Sequence, residues 1–382
     1  MAGIVELALE HAAPAFLVAF TTVLAYAAVK GYRARRFFYR LRQQGMPMPP
    51  WNPILGYLLA LPPIIKTLPG DTQQPDAFEA LCKAHETDNS IIYVDMWPFA
   101  DPMLVVGSPP LAAQVCSPEL DLPKPPILRR FFSPLAGGEN LFTANGAEWK
   151  RSRALFNPGF SAAYVLQRTA HVVAEARVYV DVLREHARRG AVFSLDDVTS
   201  AAWRIRRRPP PPVAWHVLDN EWNLLQAHPA ALAQIRAEHD AVGGDQGSAP
   251  PVPAGLGHGL PGVSLVGAHG NRYPTAGTNI WVLHSAVQRN ARYWAGAHGF
   301  RPERWLSSAT SDSGDDTLAL LEIKITLVLA TREFDVRHTY DEWDALHPAA
   351  GVKHVNGERA YQTMAGGGHP ADGYPCRVSL RA

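Results

Sequence analysis

The first residues that could do chemistry are an indole and a guanidinium four positions apart. Trp149 and Arg153 lie in the run EWKRSRALFNPGFS, which covers 148–161. In a helix this spacing places both side chains on one face, one turn apart. There the indole N–H and the guanidinium can together hold a carboxylate. The ordinary alternative is a Trp–Arg stack on a core helix.

Cysteine is scarce, and its spacing does not indicate a metal site. The three cysteines are Cys82, Cys116 and Cys376, and no two of them form a CxxC pair. A zinc site is therefore not expected, and no metal ligand is assigned. An odd, sparse set of thiols fits a reducing compartment better than a disulfide scaffold. We predict three ordinary structural thiols.

Composition describes a chain that can build a large core and has no charge bias. The 382 residues contain 36 basic and 35 acidic side chains, and 47% of them are hydrophobic. That length suffices for one large domain or two ordinary ones. The balanced charge gives no reason to expect nucleic acid or an acidic substrate as a partner.

An apolar run near the N-terminus predicts a single-pass membrane anchor. Residues 12–29 are apolar except for two threonines, and eighteen residues at about 1.5 Å each span roughly 27 Å, close to a bilayer core. Six basic residues follow within 30–42, which predicts that the bulk of the protein stays in the cytosol. A cleaved signal peptide would carry its positive charge before the run. A buried core helix and an interfacial helix are the alternatives.

The chain is therefore divided into an anchor with its basic flank, 1–45, and a globular body, 46–382. The segment MPMPP at 46–50 is stiff and non-helical, and we predict that it is a hinge between the two. In the body, strand patterns predict a hairpin over 90–107 and short strands over 263–283, 333–336 and 378–380. Helical patterns cover 112–116, 160–189, which ends at Gly190, 221–240 and 318–331.

The Trp–Arg segment and a second motif resemble one enzyme family. The string at 148–161 resembles the WxxxR helix of the cytochrome P450 monooxygenases. Tyr293-Trp294 followed by FRPERWL at 300–306 resembles the YW…FxPERW segment of the same family. Further stretches match in the same order along the chain, namely 221–240, 273–290 and 318–334. The chain is thus similar to a microsomal cytochrome P450 from which internal segments are missing.

The resemblance implies a mostly α fold with small β-sheets, preceded by a transmembrane helix. It implies that Trp149 and Arg153 hold a haem propionate, and that Arg304 is a structural arginine paired with an ExxR helix. It further implies a haem cofactor, an NADPH–cytochrome reductase as partner and oxidation of an apolar small molecule in a biosynthetic pathway. The expected location is the endoplasmic reticulum membrane, with the body on the cytosolic side.

The loop that would supply the iron ligand in this family is missing. An FxxGxRxCxG loop should end just before Leu318, but 307–317 read SSATSDSGDDT and contain no cysteine. Ser313 stands about where the cysteine would fall, and a hydroxyl is a poor iron ligand at neutral pH. Cys376 follows the next helix, which is the wrong order for the ligand, and we expect it to be structural.

Two further elements of the family are also missing. The oxygen-activating element of the central helix should precede Glu221, where a proline run, 209–212, stands instead. The ExxR helix should lie between 240 and 263, and no ExxR occurs there. Arg304 therefore lacks its expected partner, and no catalytic residue is assigned.

Three functional hypotheses follow. The first is a haem-dependent monooxygenase, the second a catalytically inactive relative, and the third a membrane-tethered protein that binds ligands in a remnant pocket. The sequence as written favours the second. Because the gaps are abrupt while their flanks match well, lost or mis-joined coding segments would explain them, and the candidate joins are 200–213, 241–262 and 307–318.

Overall fold

Helices dominate the computed structural model, and the strands form small sheets, as the sequence predicts. The helices are α1 Ala2–Gln43, α2 Leu61–Ile65, α3 Gln74–Ala84, α4 Pro109–Cys116, α5 Pro126–Ala136, α6 Gly146–Phe156, α7 Ala162–Gln167, α8 Thr169–Arg189, α9 Leu195–Arg204, α10 His216–Ala227, α11 Pro229–Asp240, α12 His284–Gln288, α13 Leu318–Glu333 and α14 Tyr340–Leu346. The structure describes residues 2–85, 90–117, 119–204, 216–240, 255–299, 318–348, 351–364 and 368–381.

The strands belong to four small sheets. Their bounds are β1 Ile91–Val94, β2 Met103–Val106, β3 Phe193–Ser194, β4 Leu256–His258, β5 Ser264–Val266, β6 Arg272–Pro274, β7 Asn279–Val282, β8 Phe334–His338, β9 Gln362–Met364, β10 Gly368–Pro370 and β11 Pro375–Leu380. The sheet orders are β1-β2-β7-β4, β3-β11-β8, β5-β6 and β9-β10. The hairpin predicted over 90–107 is β1 and β2, and the predicted closing strands are β8 and β11, which pair antiparallel.

The chain separates into two compact units. Unit 1 comprises Met1–Ile64, Phe78–Arg130 and Ala254–Gln288, and unit 2 comprises Ile65–Ala77, Phe131–Pro253 and Arg289–Ala382. The predicted boundary at residue 45 lies inside unit 1, and the division into 1–45 and 46–382 stays a prediction.

Unit 1 is built on the four-stranded sheet, and the end of α1 packs into its core. Phe38 and Leu41 are buried beside side chains of β1 and β2, among them Ile91 and Leu104. The end of α1, from Phe38 onward, is therefore already fixed to unit 1 before the MPMPP segment begins. The hinge predicted at 46–50 is wrong, because apolar side chains of the basic flank belong to the core.

A buried ion pair fixes the same stretch of α1. Arg35 pairs with Asp95, which is fully buried, and it also donates to the carbonyl oxygen of Ile54 at 2.8 Å and 3.1 Å. Trp51 Nε1 donates to the same carboxylate oxygen, at 2.8 Å from Asp95 Oδ2. The Arg35 guanidinium also lies over the ring of Trp97, 5.6 Å from its centroid. Residues of unit 1 thus enclose Arg35, one of the six basic residues that follow the apolar run.

Before this docked stretch, α1 is exposed and apolar. Among the described residues, α1 is the one helix whose length and composition would allow it to cross a membrane, over Pro14–Gln43. In its most apolar stretch 6% of the residues are buried, so a buried core helix does not account for it.

Unit 2 centres on α8, which packs against α13 and the sheet β3-β11-β8. Its core includes Tyr179 and Leu183 of α8, Trp222 of α10 and Phe334 of β8. Gly190 ends α8 in the left-handed conformation, with φ of 62°, as predicted for a C-cap. The single helix predicted over 160–189 is wrong at its start. A 3-10 turn over 157–160 and α7 precede α8, because Ser161 is extended and interrupts the helical hydrogen bonding.

A network of charges at the end of unit 2 yields a pH prediction. Arg359 donates to Asp344 through two hydrogen bonds of 2.8 Å and 3.1 Å, and Lys353 lies 2.9 Å away. These bonds lower the pKa of Asp344 below its ordinary value near 3.8. Ionised Asp344 therefore stabilises unit 2 at neutral pH, and this contribution is lost as the pH falls below about 4.

We expect Asp344→Asn to lower the free energy of unfolding by about 1–2 kcal/mol at neutral pH. The difference from wild type should shrink as the pH falls through the acid range, because the wild type then loses the same contribution. Thermal unfolding midpoints followed by circular dichroism between about pH 3 and about pH 7 measure it. Asp341→Asn, an exposed aspartate on the same helix, is the control. A destabilisation that does not change with pH would contradict the prediction.

Candidate functional site

Helix α6 carries the predicted propionate pair. Trp149 and Arg153 lie one turn apart on it, and both are half-buried. No residue of α6 is buried, although all of its residues are described. Leu155 and Phe156, at its end, are exposed apolar side chains. The pair is therefore on one helix face as predicted, on a helix none of whose residues is buried.

Neighbouring apolar side chains face water in the same way. Phe131 and Phe132 pack edge to face with ring centroids 5.0 Å apart, and Phe132 stacks on Phe142 at 5.8 Å. Phe131 and Phe142 are nevertheless exposed. Among the described residues, these rings pack on one another and Phe131 and Phe142 remain exposed, which is an apolar patch on the surface.

The thiols are the second part of the candidate site, since only a thiolate is a good cysteine ligand for iron. Burial raises the pKa of Cys82 to about 12, with a further contribution from the nearby Glu79 carboxylate. Burial also raises the pKa of Cys116, at the end of α4. Neither microenvironment favours the thiolate.

Cys376 is buried in a different setting. It lies in β11, where its register partners are Phe193 of β3 and His338 of β8, and it belongs to the core of unit 2. A ligand to iron must face the cofactor, whereas this sulfur is enclosed by core side chains. The position agrees with the structural role predicted for Cys376, and none of the three cysteines, all of them described, forms a disulfide.

The described residues therefore do not fit a thiolate-bound haem. They contain no group of three or more His, Cys, Asp or Glu side chains that could hold a metal ion. The predicted structural arginine, Arg304, and the segment 307–317 lie outside the described residues. The same is true of much of the joins near 205–215 and 241–254.

A cleft in unit 2 was not predicted from the sequence. It has a volume of about 510 Å³ and lies between α10, α11 and β8, with Trp222 and Leu232 on its apolar side. Arg236 borders it and donates to the carbonyl oxygens of Thr331 and Phe334 at 2.9 Å and 2.8 Å. Such volumes are typical of small-molecule sites, so the cleft gives the ligand-binding hypothesis a physical basis. The contiguous helices α10 and α11 form one side of the cleft, and β8, about 100 residues later, closes it, so no local motif could have indicated it.

Comparison with protein families gives a match to an enzyme family. The model of the family "Cytochrome P450" matches residues 46–203, a range that contains the Trp149–Arg153 pair.

The chain is also similar to curated fungal proteins. It is 26% identical to cytochrome P450 monooxygenase polC of Polytolypa hystricis, over 92% of this chain and 93% of the relative. It is 38% identical to cytochrome P450 monooxygenase acrF of Aspergillus aculeatus, over 28% of this chain and 22% of the relative. The alignment with polC extends over 518 positions, more than the 382 residues of this chain. That alignment therefore contains long gaps in this chain.

Solved structures share the fold. The haem domain of cytochrome P450DA superposes with a TM-score of 0.64 at 15% identity, and covers 88% of this chain and 97% of its own. A second cytochrome P450, CYP102L1, gives a TM-score of 0.59 at 12% identity, with 88% and 99% covered. At these identities the likeness concerns the fold alone.

Proposed function

This chain belongs to the cytochrome P450 family, and we propose that it is a membrane-anchored relative of the family's haem monooxygenases with an incomplete haem centre. One observation carries the proposal. The three cysteines lie in α3, at the end of α4 and in β11, in positions that do not favour a thiolate facing a cofactor. The chain as written then does not catalyse oxygen insertion.

The reaction of the complete enzyme is the background to this proposal. The family's cofactor is haem, which supplies the oxygen chemistry when it is bound. We propose that a complete form of this protein would oxidise an apolar small molecule and take electrons from an NADPH–cytochrome reductase. In this chain Trp149 and Arg153 would hold a haem propionate, and Arg304 would be the structural arginine.

The propionate pair alone is too weak to retain haem. Both side chains are half-buried on a helix without buried residues. A charged contact at such a partly exposed site is worth about 1 kcal/mol or less. Stable binding would need the metal ligand as well, and the described residues do not supply one.

The reduced, carbon-monoxide-treated protein is expected to lack the red-shifted Soret band of a thiolate haem. Full-length protein is expressed with haem supplementation, and its spectrum is compared with that of Trp149→Ala, which should differ little. Any haem that does bind should do so weakly or through an adventitious histidine. A full-occupancy thiolate band that disappears in Cys376→Ala would overturn the proposal and identify the ligand.

The second candidate is the active monooxygenase, encoded by a longer transcript. The observation that favours it is the alignment with polC, which extends over nearly all of both proteins but needs long gaps in this chain. Sequencing the transcript across 200–213, 241–262 and 307–318 tests it. A reading frame that restores the cysteine loop, the ExxR helix and the central-helix element would favour this candidate over the first.

Location is part of the proposal: a single-pass anchor in the endoplasmic reticulum, with the body in the cytosol. We expect the full chain to pellet with membranes and to resist carbonate extraction. Deletion of 1–29 should release it, because it removes the apolar run and leaves Arg35, Phe38 and Leu41 in unit 1. A full-length protein that is extracted by carbonate would contradict the anchor.

A further inference from the structure

The cleft between α10, α11 and β8 has an apolar wall and a charged wall. Trp222 and Leu225 of α10 form its floor, each 2% exposed, and the half-buried Leu232 of α11 continues the apolar side. All of the lining residues belong to unit 2. Neither Trp149 nor Arg153 lines the cleft, so a ligand bound there would not depend on haem.

The charged wall carries more positive than negative side chains. Of the described residues that line the cleft, three are arginines and one is an aspartate, namely Arg236, Arg337, Arg381 and Asp335. Arg236 Nη2 lies 2.7 Å from Asp335 Oδ1, so the charges of this pair cancel. The other two arginines leave the lining with a net positive charge. The cleft therefore favours an anion over a neutral compound of the same shape.

Arg236 is held by partners within the protein. Its Nε donates to the carbonyl oxygen of Thr331 at 2.9 Å, and its Nη2 donates to the carbonyl oxygen of Phe334 at 2.8 Å. Thr331 lies in the last turn of α13, where carbonyl oxygens have no donor within the helix. The guanidinium of Arg236 thus closes the end of α13 and neutralises Asp335. A ligand anion must be met by another side chain.

Arg337 is the side chain that can meet such an anion. It is exposed, it lines the cleft, and the antiparallel register places it opposite Arg377 of β11. Like charges directly opposite each other on neighbouring strands repel. Arg377 has Glu342 as its carboxylate partner, whereas Arg337 makes no ion pair with a described residue. A bound anion would supply this missing counter-charge.

We propose that the cleft binds an amphipathic monocarboxylate, with its apolar body against Trp222 and Leu232 and its carboxylate on Arg337. A guanidinium binds a carboxylate through two parallel hydrogen bonds. One exposed guanidinium without an ion-pair partner matches a single negative charge, and the apolar wall matches a body the size of an aromatic ring system. This site goes beyond the incomplete haem centre, since it needs neither iron nor oxygen chemistry.

Binding of 1-naphthaleneacetate, compared with its neutral isostere 1-naphthaleneacetamide, tests the site. The full-length chain is held in phosphatidylcholine nanodiscs, and each compound is measured by equilibrium dialysis against protein-free nanodiscs. Lipid takes up the neutral amide more readily than the anion, so partitioning opposes the expected preference. The carboxylate should bind to the protein at least about tenfold more tightly than the amide, because hydrogen bonds between charged groups are stronger than neutral ones.

Two substitutions with matched controls locate the binding. Arg337→Gln should weaken carboxylate binding about tenfold and leave the amide nearly unchanged. Arg332→Gln removes an exposed arginine of α13 outside the lining and should change neither. Ala233→Glu places a carboxylate on the exposed rim of the cleft and should abolish carboxylate binding, whereas Ala230→Glu, exposed on the same helix outside the lining, should not. All four positions are exposed, so the thermal midpoints should stay close to that of the wild type.

Several results would overturn the inference. Equal affinity for the carboxylate and the amide would remove the role of charge, and absence of carboxylate binding above the protein-free nanodiscs would remove the site. Equal losses in Arg337→Gln and Arg332→Gln would show a response to net charge alone. Displacement of naphthaleneacetate by equimolar inorganic phosphate would indicate a bare anion site without an apolar contribution. None of these results bears on the haem centre, whose test is the spectrum of the reduced, carbon-monoxide-treated protein.

Discussion

The purified full-length chain is expected to bind a hydrophobic fluorescent dye strongly under native conditions and to aggregate in a concentration-dependent way. Leu155 and Phe142 are 78% and 68% exposed, and Leu135 is exposed in the same way. Each apolar side chain left in water forgoes a burial worth about 1.5–3 kcal/mol. Several such side chains lie between 131 and 156, and each offers apolar area to the dye and to other copies of the chain.

Two variants distinguish the effect of these exposed side chains on dye binding from the effect of a loosened core. The double substitution Phe142→Ser and Leu155→Gln should reduce dye binding several-fold and slow aggregation, with little change in the thermal midpoint, since exposed substitutions usually change stability by about 0.5 kcal/mol or less. Leu183→Ala, in the core of unit 2, should instead cost about 2–5 kcal/mol and increase dye binding. A wild-type chain that excludes the dye and stays monomeric would contradict the prediction.

Asp95→Ala is expected to destabilise unit 1 by about 3–5 kcal/mol, because it leaves the enclosed Arg35 guanidinium without its counter-charge. Trp51 Nε1 would lose its acceptor in the same variant. The thermal midpoint of the full chain in detergent, followed by circular dichroism, measures the effect. Asp101→Ala is the matched control, since Asp101 is exposed and its pair with the exposed Arg130 should contribute about 1 kcal/mol or less.

Replacement of both partners distinguishes charge from packing. If the cost of Asp95→Ala comes from an uncompensated charge, Arg35→Met in the same chain should recover part of the lost stability. Equal costs for Asp95→Ala and Asp101→Ala would show that the ion pair does not hold α1 in unit 1.

Local patterns predicted much of this fold. The patterns at 90–97 and 103–107 predict the hairpin of β1 and β2, strands were predicted at 333–336 and 378–380 without their pairing, and Gly190 can adopt the left-handed conformation that ends α8. The placement of Trp149 and Arg153 on one helix face was likewise predictable, because a four-residue spacing on a helix needs no tertiary information. Such features depend on neighbours in sequence.

Other features depend on partners far along the chain. Arg35 is one of six basic residues after an apolar run, and nothing in that pattern distinguishes it from Arg36 until Asp95 is placed beside it. The hinge expected at 46–50 failed for the same reason, since Phe38 and Leu41 read as part of an anchor until β1 and β2 cover them. The exposure of α6 also could not be predicted locally, because burial of a helix depends on which distant segments pack against it.

Gly31 of α1 lies close against the ring of Trp97, in the turn between β1 and β2, so the proposed anchor helix and unit 1 move together. A helix that meets a thinner bilayer responds by tilting, at a modest cost in free energy. A flexible joint would absorb that tilt, whereas a helix continuous from the apolar run into the core of unit 1 must transmit it. Bilayer thickness would then set the angle at which unit 1 stands on the membrane. A change in lipid composition would therefore change the orientation of unit 1.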